Sequence, residues 1–69
     1  MRRGLAVKVR RIELEKRSVE VAFSVGISRQ YLGFIEAGKV KNPSIEVMKK
    51  LAAELKSDVQ TLFFSFDED

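Results

Sequence analysis

Apolar residues recur along this chain at intervals of three and four, the spacing that lines up one face of an α-helix. In the first stretch, roughly Gly4 to Lys16, Val7, Arg11 and Leu14 fall on one stripe and Leu5, Val9 and Ile12 on another. Leu5, Val7 and Val9 also alternate with Ala6 and Lys8 as a strand would, but the length of the periodic stretch favours a helix. Ser18 is placed to cap a second helix through its hydroxyl. That helix turns Val21, Ala22 and Val25 inward and stops at Gly26, which tolerates the positive φ of a tight turn. Ile27 plugs the turn and Ser28 caps a third helix, with Leu32 and Ile35 inward and Ala37-Gly38 at its end. Val40 to Pro43 reads as a loop. Ser44 caps a fourth helix whose inward stripe is Ile45, Met48, Leu51, Ala52 and Leu55. Ser57-Asp58-Val59-Gln60 has the form of a capping box and opens a short fifth helix offering Val59, Leu62 and Phe63 to the core. The pattern predicts a compact all-α domain of five helices.

Composition narrows what such a domain does. At 69 residues the chain has room for one small domain, spanning 1–69, with a modest core. It has no cysteine and no histidine, so a disulfide, a thiolate zinc site and a histidine-activated nucleophile are all excluded. The carboxylates show no metal-ligand spacing. The expectation is a protein that is not an enzyme and needs no cofactor. Apolar residues at 45% and charged residues at 33% suit a soluble folded domain rather than a disordered tail. No apolar run approaches the roughly 18 residues of a membrane helix, and Met1-Arg2-Arg3-Gly4 leads into no signal-peptide core. A cytoplasmic location without a membrane partner is expected.

The net charge of +3 hides a segregation of signs. Residues 1–41 carry ten Lys/Arg against four acids, whereas residues 42–69 carry three lysines against six acids. A basic half suits a polyanionic partner, although a solvated surface with a chance imbalance would look the same.

The stretch from Ser18 to Ala37 carries more information. Two short helices separated by three or four residues must cross steeply, which needs a small residue at the crossing (Ala22) and a flexible one in the turn (Gly26). Val21, Val25, Ile27, Leu32 and Ile35 supply the apolar contacts that fix the angle. This is helix-turn-helix spacing, and the second helix is left with a polar outer face. Arg29, Gln30 and Phe34 lie on that face, flanked by Tyr31 and Gly33. Such a helix fits the major groove of B-DNA, where Arg pairs with guanine and Gln with adenine.

Val21-Ala22, Val25-Gly26-Ile27-Ser28-Arg29-Gln30, Ile35-Glu36-Ala37-Gly38-Lys39 and Asn42-Pro43-Ser44 together resemble the Cro/cI-type, lambda repressor-like helix-turn-helix proteins of the XRE family. The resemblance runs from about Val7 to Phe63, with the helix-turn-helix at about 18–37 and the recognition helix at about 28–37. It implies that Arg11 and Glu36 form a structural ion pair. It places Arg29, Gln30 and Phe34 at base-reading positions, and Ser18, Ser28, Tyr31, Lys39 and Lys41 against phosphates. The chain also departs from the family pattern. Ser18 stands where a phosphate-clamping glutamine is usual, and Phe34 occupies a position that is more often polar. A phenylalanine there can touch only a thymine methyl or a sugar. Gly33 weakens the recognition helix by about 1 kcal/mol relative to alanine, and Phe23 sits on a normally polar face. Arg2 and Arg3 read either as an arm toward DNA or as a frayed terminus.

Leu62-Phe63-Phe64-Ser65-Phe66, followed by Asp67-Glu68-Asp69, is rich in phenylalanine for so small a protein. Either the tail folds back on Leu5, Val9 and Ile12, or Leu62, Phe63, Phe64 and Phe66 form a dimer interface. The resemblance implies dimerisation through the C-terminal part, and a two-fold dimer fits a palindromic operator in double-stranded DNA. The expected function is thus sequence-specific DNA binding by a small dimeric transcriptional regulator, most simply a repressor. With no room for a ligand pocket or sensor domain, its control would come from concentration, operator layout or a partner. The rival is a protein-interaction module on the same fold, such as an antitoxin or an accessory protein of a plasmid or conjugative element, whose protein partner covers Phe23, Phe34 and the tail.

Overall fold

Five helices follow one another in the computed structural model, which describes residues 4–40 and 42–64. They are α1 (Leu5–Glu13), α2 (Ser18–Val25), α3 (Arg29–Glu36), α4 (Ile45–Glu54) and α5 (Val59–Phe63). The expected all-α architecture is what forms, and no strand is present among the described residues. Every helix contributes to one core: Val7 from α1; Val21, Ala22 and Val25 from α2; Leu32 and Ile35 from α3; Met48, Leu51 and Ala52 from α4; Leu62 and Phe63 from α5, with Leu55 just past the end of α4. Burying each of the larger side chains contributes about 1.5–3 kcal/mol. α4 lies against α2 and α5, and α1 lies against α3 and α5.

Capping explains most of the boundaries. Ser28 Oγ accepts from the Tyr31 N–H at 2.9 Å and Ser44 Oγ from the Val47 N–H at 3.1 Å, so both hydroxyls start the helices expected of them. Two other caps sit one residue from expectation. Ser18 is the first residue of α2 rather than its cap; Arg17 is the cap, and its N–H donates to the Glu20 carboxylate at 2.9 Å. Ser57 likewise yields to Asp58, whose carboxylate accepts from both the N–H and the hydroxyl of Thr61. A charged acceptor makes a stronger cap than a serine hydroxyl one residue earlier.

The first four helices end alike. In each, a residue just past the helix reaches back to a carbonyl five residues earlier: Lys16 to Arg11, Ile27 to Ala22, Lys39 to Phe34 and Ser57 to Ala52. This closure needs a left-handed residue at the bend. Gly26 and Gly38 take that place after α2 and α3, whereas Glu15 (φ 57°) and Lys56 (φ 53°) take it after α1 and α4. Gly4, at φ 89°, opens α1 so close to α3 that a Cβ there would collide with the Ile35 carbonyl oxygen.

Two apolar expectations are corrected by the packing, Ile45 in the core and Leu62 with Phe63 at an interface. Ile45 is 58% exposed, because the first turn of α4 overhangs the core, and Val47 packs there instead. Val9 and Ile12 are exposed, leaving the second stripe of α1 mostly outside. Leu62 and Phe63 are buried within their own chain and are not free to form a dimer interface. The core takes them because α5 closes the open end between α1 and α4. Of the proposed interface only Phe64, 45% exposed, remains on the surface; Phe66 lies outside the described residues, as do Arg2, Arg3 and the rest of the tail.

Candidate nucleic-acid interface

α2 and α3 meet through Val21, Ala22, Val25, Leu32 and Ile35, all buried, with Ile27 half-buried in the turn between them. Ala22 keeps the helices close and Gly26, at φ 86°, makes the turn short. The inner face of α3 is thereby fixed. Its outer face carries Arg29, Gln30, Gly33 and Phe34, all exposed. Arg29 and Gln30 make no side-chain hydrogen bond or ion pair among the described residues. Long polar side chains without internal partners retain their donors for an external acceptor.

The surrounding candidates divide by what they already do. Ser28 Oγ accepts from the Tyr31 N–H, which leaves its proton free to donate to a phosphate. Tyr31 is half-buried and packs against the core. Ser18 is half-buried in the first turn of α2. Lys39 is exposed, and its Nζ stands 6.0 Å from the centre of the Phe34 ring. Lys41 lies outside the described residues.

Behind this face lies an ion pair that holds α3 in place. Arg11 grips Glu36 with two parallel hydrogen bonds, Nε to Oε2 at 2.8 Å and Nη2 to Oε1 at 3.2 Å, and its Nη1 donates to the Lys16 carbonyl at 3.1 Å. Both side chains are largely buried, so each offsets the desolvation of the other. Arg10 does similar work on the other side, donating to the Leu55 and Lys56 carbonyls at 2.9 and 3.2 Å. Sequence reasoning missed Arg10; its signal was a basic side chain in the last turn of α1, beside the carbonyls of a helix end.

Among the described residues no three His, Cys, Asp or Glu side chains converge where a metal ion could sit, no cavity forms, and no helix is long and apolar enough to cross a membrane. The chemistry on offer is that of an exposed helix face.

Residues 7–62 match the helix-turn-helix family model HTH_3. The chain belongs to that family. Within it, the HTH-type transcriptional regulator SinR of Bacillus licheniformis is 35% identical over 65 residues, 94% of this chain and 59% of the relative. The chain spans less than two thirds of the length of the curated relatives it matches. Among solved structures, SinR, the master regulator for biofilm formation, in complex with DNA superposes with a TM-score of 0.79 at 36% identity, covering 86% of this chain and 94% of that one. The SinR/SinI protein complex superposes with a TM-score of 0.83 at 31% identity, covering 96% and 68%. In this HTH_3 domain one feature has no place in the expected helix-turn-helix face: Phe23 on α2 is 85% exposed, one turn beyond an exposed Val19.

Proposed function

We propose that this chain is the DNA-binding module of a transcriptional regulator that acts by sequence-specific binding to double-stranded DNA in the cytoplasm, without catalysis. α3 enters the major groove with Arg29 and Gln30 against base edges. Ser18, Ser28, Tyr31, Lys39 and Lys41 position it on phosphates. The observation that carries this reading is the pair Arg29 and Gln30, exposed and without internal partners on a helix whose inner face is locked by Leu32, Ile35 and Glu36. The likeness to SinR in complex with DNA supports it. Two copies on a palindrome, with half-sites about one helical turn apart, match the two-fold logic of such sites. Of the described residues expected to join them, Phe64 is the exposed one.

The test is selection of bound fragments from random DNA, followed by anisotropy titration of the selected duplex against salt. A site bound at least about a thousandfold tighter than random DNA, with a steep salt slope, is the expected result. Weak binding indifferent to sequence would overturn the reading.

A second reading draws on Phe23. A phenylalanine so fully exposed gains nothing for the fold, and with Val19 it offers an apolar spot for a protein partner. The likeness to SinR in the SinR/SinI complex is consistent with a member of the family that binds a protein partner. Phe23→Ser leaving DNA affinity unchanged while removing a partner recovered with the wild-type chain would support it.

A further inference from the structure

Gly33 costs α3 stability that nothing among the described residues repays. Its backbone is helical, and a Cβ added there would meet no atom of the described residues within 4 Å. Neither a strained turn nor a close internal approach therefore requires glycine. What glycine does at this position is clear the helix surface beside Phe34, on the same exposed face as Arg29 and Gln30.

Phe34, in turn, has a cation beside it. Gly38 bends the chain at φ 79°, the Lys39 N–H returns to the Phe34 carbonyl at 2.9 Å, and the Lys39 Nζ stands 6.0 Å from the ring centre. One side of the ring is thus attended by a cation at the range of a weak cation–π contact. The ring itself remains 41% exposed. An exposed aromatic edge thus stands beside a stretch of bare helix, one turn along from two polar side chains.

Only one apolar group projects from base edges into the major groove, the C5-methyl of thymine, and 5-methylcytosine carries the same group. We propose that Phe34, with the clearance left by Gly33, reads the C5-methyl of a pyrimidine, so that binding depends on that methyl group whether thymine or 5-methylcytosine carries it. This rests on the DNA-binding reading above. Lys39 then serves twice, steadying the ring and reaching the adjacent phosphate.

The experiment uses the duplex selected from random DNA and the full chain. Each thymine is replaced in turn by deoxyuridine and each cytosine by 5-methylcytosine, and affinity is measured for wild type and Phe34→Ala. The expected result is one pyrimidine per bound chain at which loss of the methyl weakens wild-type binding about fourfold, the value of burying one such group. Phe34→Ala binds the methylated and unmethylated duplexes alike. Dependence on thymine methyl, on 5-methylcytosine, or on both identifies the source and upholds the proposal. Specific binding that tolerates deoxyuridine everywhere and ignores 5-methylcytosine overturns it while the DNA reading stands. A methyl effect that persists in Phe34→Ala overturns it too. Failure to select any duplex removes both.

Discussion

Two pairs of helix ends in this protein solve one geometric problem in opposite ways. After α2 and α3 the left-handed residue is glycine, at Gly26 and Gly38, and among the described residues no arginine side chain caps these turns. After α1 and α4 it is Glu15 and Lys56, where an L side chain costs roughly 1–2 kcal/mol. Arginine side chains are laid against those same ends: Arg11 on the Lys16 carbonyl, Arg10 on the Leu55 and Lys56 carbonyls. Lys16 adds a pair to Glu54 at 3.2 Å, tying the two ends to each other. The difference separates two jobs. Cations of α1 are spent inward to fasten the scaffold, whereas Arg29 and Gln30 of α3 are left unspent beside relaxed turns.

The comparison breaks most visibly at its strongest fastening. Arg11→Ala would leave Glu36 largely buried without its partner and the Lys16 carbonyl without a donor. A loss of about 3 kcal/mol follows, a large share of what a domain of this size has. Urea denaturation should show a much lower midpoint with an unchanged slope. On the other side, Gly33→Ala fits its helical backbone and open surroundings, so it should raise stability by about 1 kcal/mol while weakening binding to the selected duplex. A variant that is more stable and binds less well would show that the glycine is retained for an external surface. Lys56→Gly relieves a left-handed lysine and should stabilise by about 0.5 kcal/mol, part of the gain being offset by the freer unfolded chain; thermal melting would read it.

The smallest effect is electrostatic. The Thr61 hydroxyl, and then the Thr61 N–H, hold the Asp58 carboxyl below its ordinary value of 3.8. A carboxyl depressed in the folded state stabilises above that ordinary value, and the contribution is lost as pH falls through the lower folded one. Asp58→Asn should therefore flatten the acid limb of the stability profile slightly and leave neutral pH less stable than wild type. An unchanged acid limb would remove the cap from the account.

Much of the fold was legible because its signals are local. Ser28 and Ser44 start helices where hydroxyl and apolar spacing said they would, and Gly26 and Gly38 end them. Arg17 could not be read as a cap, since its side chain has no acceptor and the bond belongs to Glu20, three residues on. The aromatic tail was half read. The helical spacing offered Leu62 and Phe63 to the core, where they lie, but the excess of phenylalanine also assigned them to a dimer interface, and only the arrangement of the five helices shows that the core has room for both. Periodicity likewise cannot tell that the first turn of α4 overhangs, which is why Ile45 was misplaced. The outer face of α3 was visible from the sequence. The approach of Lys39 to the Phe34 ring was not, because it depends on the bend at Gly38.

The central claim is that the outer face of α3 is kept for DNA and contributes little to the fold. It is tested most directly by Arg29→Ala/Gln30→Ala, with urea denaturation and anisotropy titration of the selected duplex carried out on the same preparation. The account predicts stability within about 0.5 kcal/mol of wild type and affinity for the selected site reduced to that for random DNA. Unchanged discrimination between the two DNAs in a stably folded double variant would contradict it.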